Sequence, residues 1–376
     1  MFMLYNLFMS KTSFGIWNER GIDPLANPIG EFNARGGVDL VDYQNHNAYM
    51  EIAHPGLGKD QWAEIQKTLP KFEIFEDPAS GQKLRVQRFN WPKDGVDEET
   101  AATIYNVPFS VPIDLPHLTY QHHLMAEALE TPFMVIENPG YGESDKLTQE
   151  QKNELKQGKF KSVADSMLGV MKSLGITRLN EIGYSMGSDV AASIAANAAD
   201  FGIIVENLFI MESPRVDNQN PIILLKNFAS DSRNLKFTWA NPRDPVLKEV
   251  AELKLGLPKG ITTYGKALYK GGLKDDLVRA LKTQPNLKVT IGTGDSSKIS
   301  KPSANKELLS DIAELVPGRQ VRRIVIPGES HSYGDSGKRY ASLASLVLRQ
   351  PGIISAASIG DLEKDQVYQV RLKNTL

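Results

Sequence analysis

Residues 183–187, with the sequence Gly-Tyr-Ser-Met-Gly, have the composition of a sharp turn that exposes a nucleophilic serine. The apolar residues 179–183 predict a strand before this turn, and the small residues 188–199 predict a helix after it. The two glycines let the chain bend at Ser185, whose hydroxyl would then stand at a helix N-terminus, where backbone amides and the helix dipole favour negative charge. A serine in this setting can attack an acyl carbon. The alternative interpretation is a Gly/Ser-rich helix cap that carries no chemistry.

The composition argues against several other kinds of chemistry. The chain of 376 residues contains no cysteine, which excludes disulfides, thiol catalysis and Cys-ligated metals. Its net charge of −2 gives no indication that a nucleic acid or an anionic membrane is the main partner. The sequence shows no His/Asp cluster with metal-ligand spacing, and residues 140–142 (Gly-Tyr-Gly) do not continue as a dinucleotide-binding fingerprint. We therefore expect neither a metal nor a cofactor.

The N-terminal residues 1–9 are apolar but lack the basic flank and the small-residue cleavage site of a signal peptide. Met9 is an alternative start to Met1. No later window holds eighteen apolar residues in a row, so we predict no stable membrane insertion. The cytoplasm is the expected compartment.

The elements around the serine alternate between strands and helices. Residues 72–75 and 84–89 alternate polar and apolar side chains and predict a β-hairpin. Further strands are predicted at 101–107, 131–137, 179–183, 208–211, 287–292 and 321–326, and helices at 118–130, 160–174, 188–199, 304–316 and 337–349. This alternation predicts an α/β fold with a mostly parallel central sheet flanked by helices.

Together these features resemble the α/β-hydrolase superfamily over roughly residues 70–350. The resemblance depends on the antiparallel start, on the turn at 183–187, and on residues 138–144 (Asn-Pro-Gly-Tyr-Gly-Glu-Ser), which look like the family's turn after its fourth strand. It implies that Ser185 lies on a nucleophile elbow. It also implies a catalytic triad in the chain order nucleophile, acid, histidine.

The chain order identifies His331 as the predicted general base. Of the six histidines it is the only one that follows Ser185; the others are His46, His54, His117, His122 and His123. His331 lies in a loop directly after the apolar residues 321–326, from which a base could reach over the end of the sheet.

Two residues compete for the role of the acid. Asp295 follows the predicted strand 287–292 among glycines that permit a tight turn, and it is the predicted acid that would hold the tautomer of His331. An Asx turn or a helix N-cap would also account for Asp295. Glu212, after the strand that follows the elbow, is the alternative acid, because some members of the family place theirs there.

The resemblance also implies an oxyanion hole made of two backbone amides. The amide of Met186 is one predicted donor, because Met186 follows the nucleophile. The family often has His-Gly after its third strand, whereas this chain has Asn-Val-Pro-Phe-Ser at 106–110. Since Pro108 has no N–H, Phe109 is the predicted second donor and Ser110 the alternative.

The predicted core comprises residues 71–214 and 286–350, and three further segments accompany it. Residues 1–70 form an N-terminal arm of unknown role, and residues 351–376 a C-terminal extension. Residues 215–285 break the alternation and predict a helical cap or lid, inserted before the strand that carries Asp295. The cap is rich in large apolar residues, which would stabilise it or line an acyl pocket: Ile222, Ile223, Leu224, Leu225, Phe228, Leu235, Phe237 and Trp239. The arm or the cap would mediate any homo-oligomer.

The function that the resemblance implies is that of a serine hydrolase, carboxylesterase- or lipase-like, acting on a small hydrophobic ester. His331 would take the proton of Ser185, which attacks the carbonyl, and water would release the acyl group. Thioesterases, C–C hydrolases and acyltransferases of the fold use the same residue types. The alternative from another class is a non-catalytic binding or structural protein that keeps the fold.

Overall fold

The computed structural model describes residues 59–109, 112–129, 131–238, 261–326, 330–331, 340–341, 343–344 and 347–348. Most of the predicted N-terminal arm, the whole C-terminal extension, the donor candidate Ser110 and the cap residue Trp239 lie outside these residues. The predicted domain boundaries stay predictions.

In the part of the chain that the structure describes, an eight-stranded sheet forms the centre of the fold. Its strands are β1 Phe72–Glu76, β2 Lys83–Phe89, β3 Ala102–Asn106, β4 Phe133–Ile136, β5 Arg178–Tyr184, β6 Ile204–Met211, β7 Lys288–Gly294 and β8 Gln320–Ile326. They lie in the order β1-β2-β4-β3-β5-β6-β7-β8. The β1–β2 and β2–β4 pairs are antiparallel, and every other pair is parallel. The predicted α/β fold with a mostly parallel sheet is therefore confirmed.

Helices cover both faces of this sheet. They are α1 Lys59–Thr68, α2 Pro116–Leu129, α3 Gln149–Lys156, α4 Lys161–Ser173, α5 Met186–Asn197, α6 Pro221–Thr238, α7 Ile261–Leu268, α8 Leu273–Thr283 and α9 Pro302–Leu315. The described residues between 340 and 348 are helical as well. No described helix combines the length and the apolar character needed to cross a bilayer.

The buried residues form one cluster on each face of the sheet. Helices α4, α5 and α8 pack over Ile104, Leu179 and Ile210 on one face. Helix α2 and the described residues between 340 and 348 pack over Tyr105 and Ile182 on the other. Strand β4 (Phe-Met-Val-Ile) and the last four residues of β6 (Leu-Phe-Ile-Met) are apolar and buried at successive positions rather than at alternate ones, which is typical of strands that are covered on both faces.

The segment between β6 and β7 contains helices α6, α7 and α8. Helix α8 packs directly against α5, the helix that begins after the elbow, whereas α6 and α7 lie nearer the end of the sheet where Ser185 is found. Residues 239–260 of this segment lie outside the described residues. Whether this segment acts as a lid stays a prediction.

Candidate active site

Ser185 occupies the sharp turn between β5 and α5. Its backbone has φ 54° and ψ −126°, a conformation that costs free energy for a residue other than glycine. The two flanking glycines are required by close packing. A Cβ on Gly187 would lie 1.9 Å from the carbonyl oxygen of Asn106, and one on Gly183 would lie 2.3 Å from that of Gly187. The glycines that mark the motif thus let the start of α5 press against β3.

Hydrogen bonds from β6 hold this strained turn in place. The Ser185 amide donates to the carbonyl oxygen of Met211 at 2.9 Å. The Ser188 hydroxyl bridges the two strands, with its Oγ 2.9 Å from the carbonyl oxygen of Gly183 and 2.7 Å from that of Met211. The same Oγ lies 3.0 Å from the Met211 amide nitrogen. The end of β6 therefore supports the nucleophile directly.

His331 lies between the serine hydroxyl and a carboxylate. Its Nε2 is 3.0 Å from Oγ of Ser185, and its Nδ1 is 3.2 Å from Oε2 of Glu212. All three side chains are buried. A histidine so held can accept the serine proton on Nε2 while the carboxylate accepts the N–H at Nδ1, which is the arrangement of a catalytic triad.

The expectation that Asp295 stands beside His331 is corrected by this geometry. Asp295 lies in the loop after β7 with its side chain exposed, and Glu212, the alternative acid, occupies the position against Nδ1. Glu212 follows β6 directly and has φ 59°, a left-handed conformation that turns its side chain back over the sheet edge. The cap segment therefore follows the strand that carries this carboxylate rather than preceding it.

The loop after β7 supplies hydrogen-bond donors to Glu212. The carboxylate accepts hydrogen bonds from the amide of Gly294 at 2.5 Å, the hydroxyl of Ser297 at 2.6 Å and the hydroxyl of Thr293 at 3.3 Å. Glu212 is fully buried, and a buried carboxylate is tolerated only when such partners replace its lost hydration. The glycine-rich loop that was expected to aim Asp295 instead holds Glu212.

Two aromatic side chains hold the imidazole of His331. The ring of Tyr184 stacks on it with centroids 5.5 Å apart and planes inclined by 29°, and the Tyr184 hydroxyl donates to the backbone oxygen of His331. The ring of Phe228, from α6, meets it edge-on at 5.2 Å. Phe228 was expected in the cap. The contact of Tyr184 was not anticipated, although its place directly before the serine was the available signal.

Met186 and Phe109, the predicted oxyanion donors, each lie just after the carboxyl end of a strand. Met186 is the first residue of α5 and is fully buried. Phe109 follows β3 and is half-buried, with its ring near α7, where a Cβ on Gly265 would lie 3.5 Å from Phe109 Cζ. The parallel pairing of β3 with β5 brings the loop after β3 and the elbow to the same edge of the sheet. The donor roles of both amides stay predictions.

Helix α7 covers the glycine turn that lies beside this edge. The hydroxyl of Tyr264 donates to the carbonyl oxygen of Pro139 at 3.1 Å, and its ring meets that of Tyr141 at 5.3 Å. Burial raises the pKa of Tyr264 well above its ordinary value, so its hydroxyl stays protonated and can donate. The Tyr141 hydroxyl in turn lies 3.9 Å from Sδ of Met186. A helix between β6 and β7 is thereby anchored next to the start of α5.

Within the described residues, no group of three or more His, Asp or Glu side chains is arranged to hold a metal ion. Some of the buried ionic groups are paired with one another. Arg85 of β2, for example, reaches Glu137 with Nε at 3.1 Å and Nη2 at 2.7 Å, which secures the glycine turn after β4.

The chain is similar in structure to several solved enzymes. No protein-family model matches it, and no curated protein matches it in sequence. The enol-lactonase from Burkholderia xenovorans LB400 superposes with a TM-score of 0.53 at 15% identity, covering 74% of this chain and 100% of its own. An alpha/beta hydrolase from a Medee basin deep-sea metagenome library, MGS-M2, has a TM-score of 0.52 at 12% identity, covering 76% and 98%. An esterase from Exiguobacterium antarcticum has a TM-score of 0.51 at 15% identity, covering 74% and 99%.

Proposed function

Since the chain has the α/β-hydrolase fold, we propose that it is a serine hydrolase that cleaves an ester-like acyl bond of a small hydrophobic molecule. The observation that carries the proposal is the series of two hydrogen-bond contacts from Ser185 through His331 to Glu212. A binding protein that merely kept the fold would have no need of a buried carboxylate aligned with a histidine and a strained serine, since both strain and burial cost stability.

The proposed reaction follows from the roles of the three side chains. His331 removes the proton of Ser185 as its oxygen attacks the carbonyl carbon, and Glu212 stabilises the imidazolium that forms. The amides of Met186 and Phe109 would hold the oxyanion of the tetrahedral intermediate. His331 then protonates the leaving alkoxide, and a water molecule activated by the same imidazole hydrolyses the acyl-enzyme.

Two features support an ester with an apolar acyl group. The rings of Phe228 and Phe109 are half-buried beside the site, on α6 and on the loop after β3, which suits an apolar ligand better than a charged one. Two of the similar structures are named as an esterase and an enol-lactonase, and both names denote the cleavage of a carboxylic ester.

The test of the class of reaction is covalent labelling with a fluorophosphonate. We expect intact mass spectrometry to show one adduct and peptide mapping to place it on Ser185, because its Oγ lies 3.0 Å from Nε2 of His331, which can take up its proton. Ser310→Ala, on the exposed face of α9, is the matched control and should label normally. An unlabelled protein, or an adduct on another residue, would contradict the proposal. A panel of ester, thioester, amide and β-diketone substrates then distinguishes the bond type.

Phe228 is expected to set the preference for acyl chain length. Each methylene that the site buries is worth about 0.8 kcal/mol, or about fourfold in kcat/KM, until the pocket is full. We therefore predict that kcat/KM for p-nitrophenyl esters rises from acetyl to a medium-length chain, and that Phe228→Ala flattens this rise. The slope across the series is the measurement.

The control for this prediction lies on the same helix. Leu225 is 71% exposed, so Leu225→Ala should leave the slope unchanged. A steady fall in kcat/KM from acetyl onwards that Phe228→Ala does not alter would indicate a small polar site and a purely structural α6.

A further inference from the structure

The backbone that presents Glu212 to His331 is strained, and something must hold it. Glu212 has φ 59°, and it is one of three non-glycine residues with positive φ in the described part of the chain. Such a conformation persists only where neighbouring contacts fix the residues on both sides. Before Glu212, Met211 is tied to Ser188 and Ser185. The residue after it is Ser213, which is almost fully buried.

Asp189 fixes Ser213 from the helix that carries the nucleophile. It lies on α5, one turn beyond Ser185, and is fully buried. Its Oδ1 accepts a hydrogen bond of 2.6 Å from the Ser213 hydroxyl. The Ser213 oxygen in turn accepts a hydrogen bond of 3.2 Å from the amide of Arg215. The Asp189 carboxylate thus fixes, through the Ser213 hydroxyl, the turn directly after Glu212.

The guanidinium of Arg215 lies between this carboxylate and a second one. Nη1 of Arg215 is 4.0 Å from Asp189 and 3.4 Å from Asp276 of α8. Its other nitrogens donate to the carbonyl oxygens of Gly271 at 2.7 Å and Gly158 at 2.6 Å. The group is almost fully buried, which makes it a rigid counterion for the two carboxylates.

We propose that Asp189 is a positioning residue, which, through Ser213, fixes the strained turn that holds Glu212 against His331. The inference rests on the proposed function, because it assigns a partner to the acid of that triad. The side chains of Asp189 and Ser213 link α5, the helix that begins after Ser185, to the turn that follows Glu212. The stacking of Arg215 over the ring of Phe160, at 4.9 Å, extends the link to the start of α4.

Both carboxylates that face Arg215 titrate within the range used for assays. Burial raises the pKa of Asp189 to about 7 and that of Asp276 to about 6, and Arg215 opposes both shifts. Assays of this network therefore belong at pH 8, where both carboxylates are ionised.

The experiment compares Asp189→Ala with two variants of the same network. Misplacing a reacting group by about 1 Å costs about 10²-fold, so we expect Asp189→Ala to lower kcat about 10²-fold with KM little changed. Asp189→Asn keeps an oxygen that accepts from Ser213 and should restore most of kcat. Asp276→Asn removes the other carboxylate of Arg215 without touching Ser213, and it should leave kcat unchanged.

A double mutant distinguishes positioning from general structural damage. If Asp189 acts through Glu212, then Asp189→Ala should have little further effect on kcat in a Glu212→Gln background, because the two changes remove one interaction. An equal loss in both backgrounds, or an unchanged kcat in Asp189→Ala, would overturn the inference. Ser213→Ala replaces Asp189→Ala in the same cycle if the latter does not fold. A parent protein that neither labels at Ser185 nor turns over any ester would refute the proposed function instead.

Discussion

Replacement of Ser185 by alanine is expected to lower kcat by about 10⁶, the loss measured when a triad serine is removed from a serine protease. Its hydroxyl contacts the imidazole of His331 and supplies the attacking oxygen, so no other group can form the acyl-enzyme. Stability should change by little more than the one hydrogen bond that Nε2 of His331 loses, because the strain of the backbone at this turn is the same for alanine as for serine. The measurements are kcat with the best ester of the panel and the thermal midpoint.

Ser188 provides the matched control for this prediction. It lies three residues further along and bonds to both strand ends, so Ser188→Ala should cost about 1–3 kcal/mol of unfolding free energy because buried backbone groups lose their partner. Ser185→Ala should therefore lower turnover with little loss of stability, whereas Ser188→Ala should lower the free energy of unfolding. Full activity in Ser185→Ala would exclude the acyl-enzyme mechanism.

Replacement of Glu212 by glutamine is expected to lower kcat by about 10⁴, as the equivalent acid-to-amide change does in serine proteases. An amide cannot stabilise the imidazolium, and its NH2 group would favour the wrong tautomer of His331. The new side-chain amide would also face the donors of Gly294 and Ser297, which suit a carboxylate. The measurement is kcat at pH 8 with the same ester.

Asp295→Asn is the comparison that decides between the two acids. Its side chain is exposed and Nδ1 of His331 contacts Glu212, so kcat should stay close to that of the parent. Surface changes of this kind alter the free energy of unfolding by less than about 0.5 kcal/mol. A greater loss of kcat in Asp295→Asn than in Glu212→Gln would identify Asp295, in the loop after β7, as the catalytic acid.

The fold was predictable from the sequence because its signals are local. Hydrophobic periodicity located all eight strands of the described residues, and the glycines at 183 and 187 marked the turn at Ser185. Helix α3 was missed, although Thr148 and Gln151 form a capping box that the sequence displays as Thr-Gln-Glu-Gln. Helix α7 was missed as well, since it lies in a segment with no alternation.

The choice between the two acids was not predictable, because it depends on contacts between distant parts of the chain. Glu212 and Asp295 both follow parallel strands and both lie between Ser185 and His331, so chain order permits either. What decides is the left-handed backbone of Glu212 and the donors that the loop after β7 turns towards it. A glycine beside an aspartate indicates a tight turn, but it does not indicate which carboxylate accepts hydrogen bonds from that turn.

The position of Glu212 after β6 also affects the order in which the site assembles during folding. Ser185 and Glu212 belong to one strand–helix–strand unit, β5, α5 and β6, whose parallel pairing can form early because little chain separates the strands. His331 is 119 residues from Glu212 and 146 from Ser185, and closing such long loops costs more entropy. On the ribosome the serine and the carboxylate emerge together and the histidine later. The loop after β7, which supplies the donors that hold Glu212, is also made later than this pair, so we expect reactivity towards esters to begin only when the segment after β8 docks.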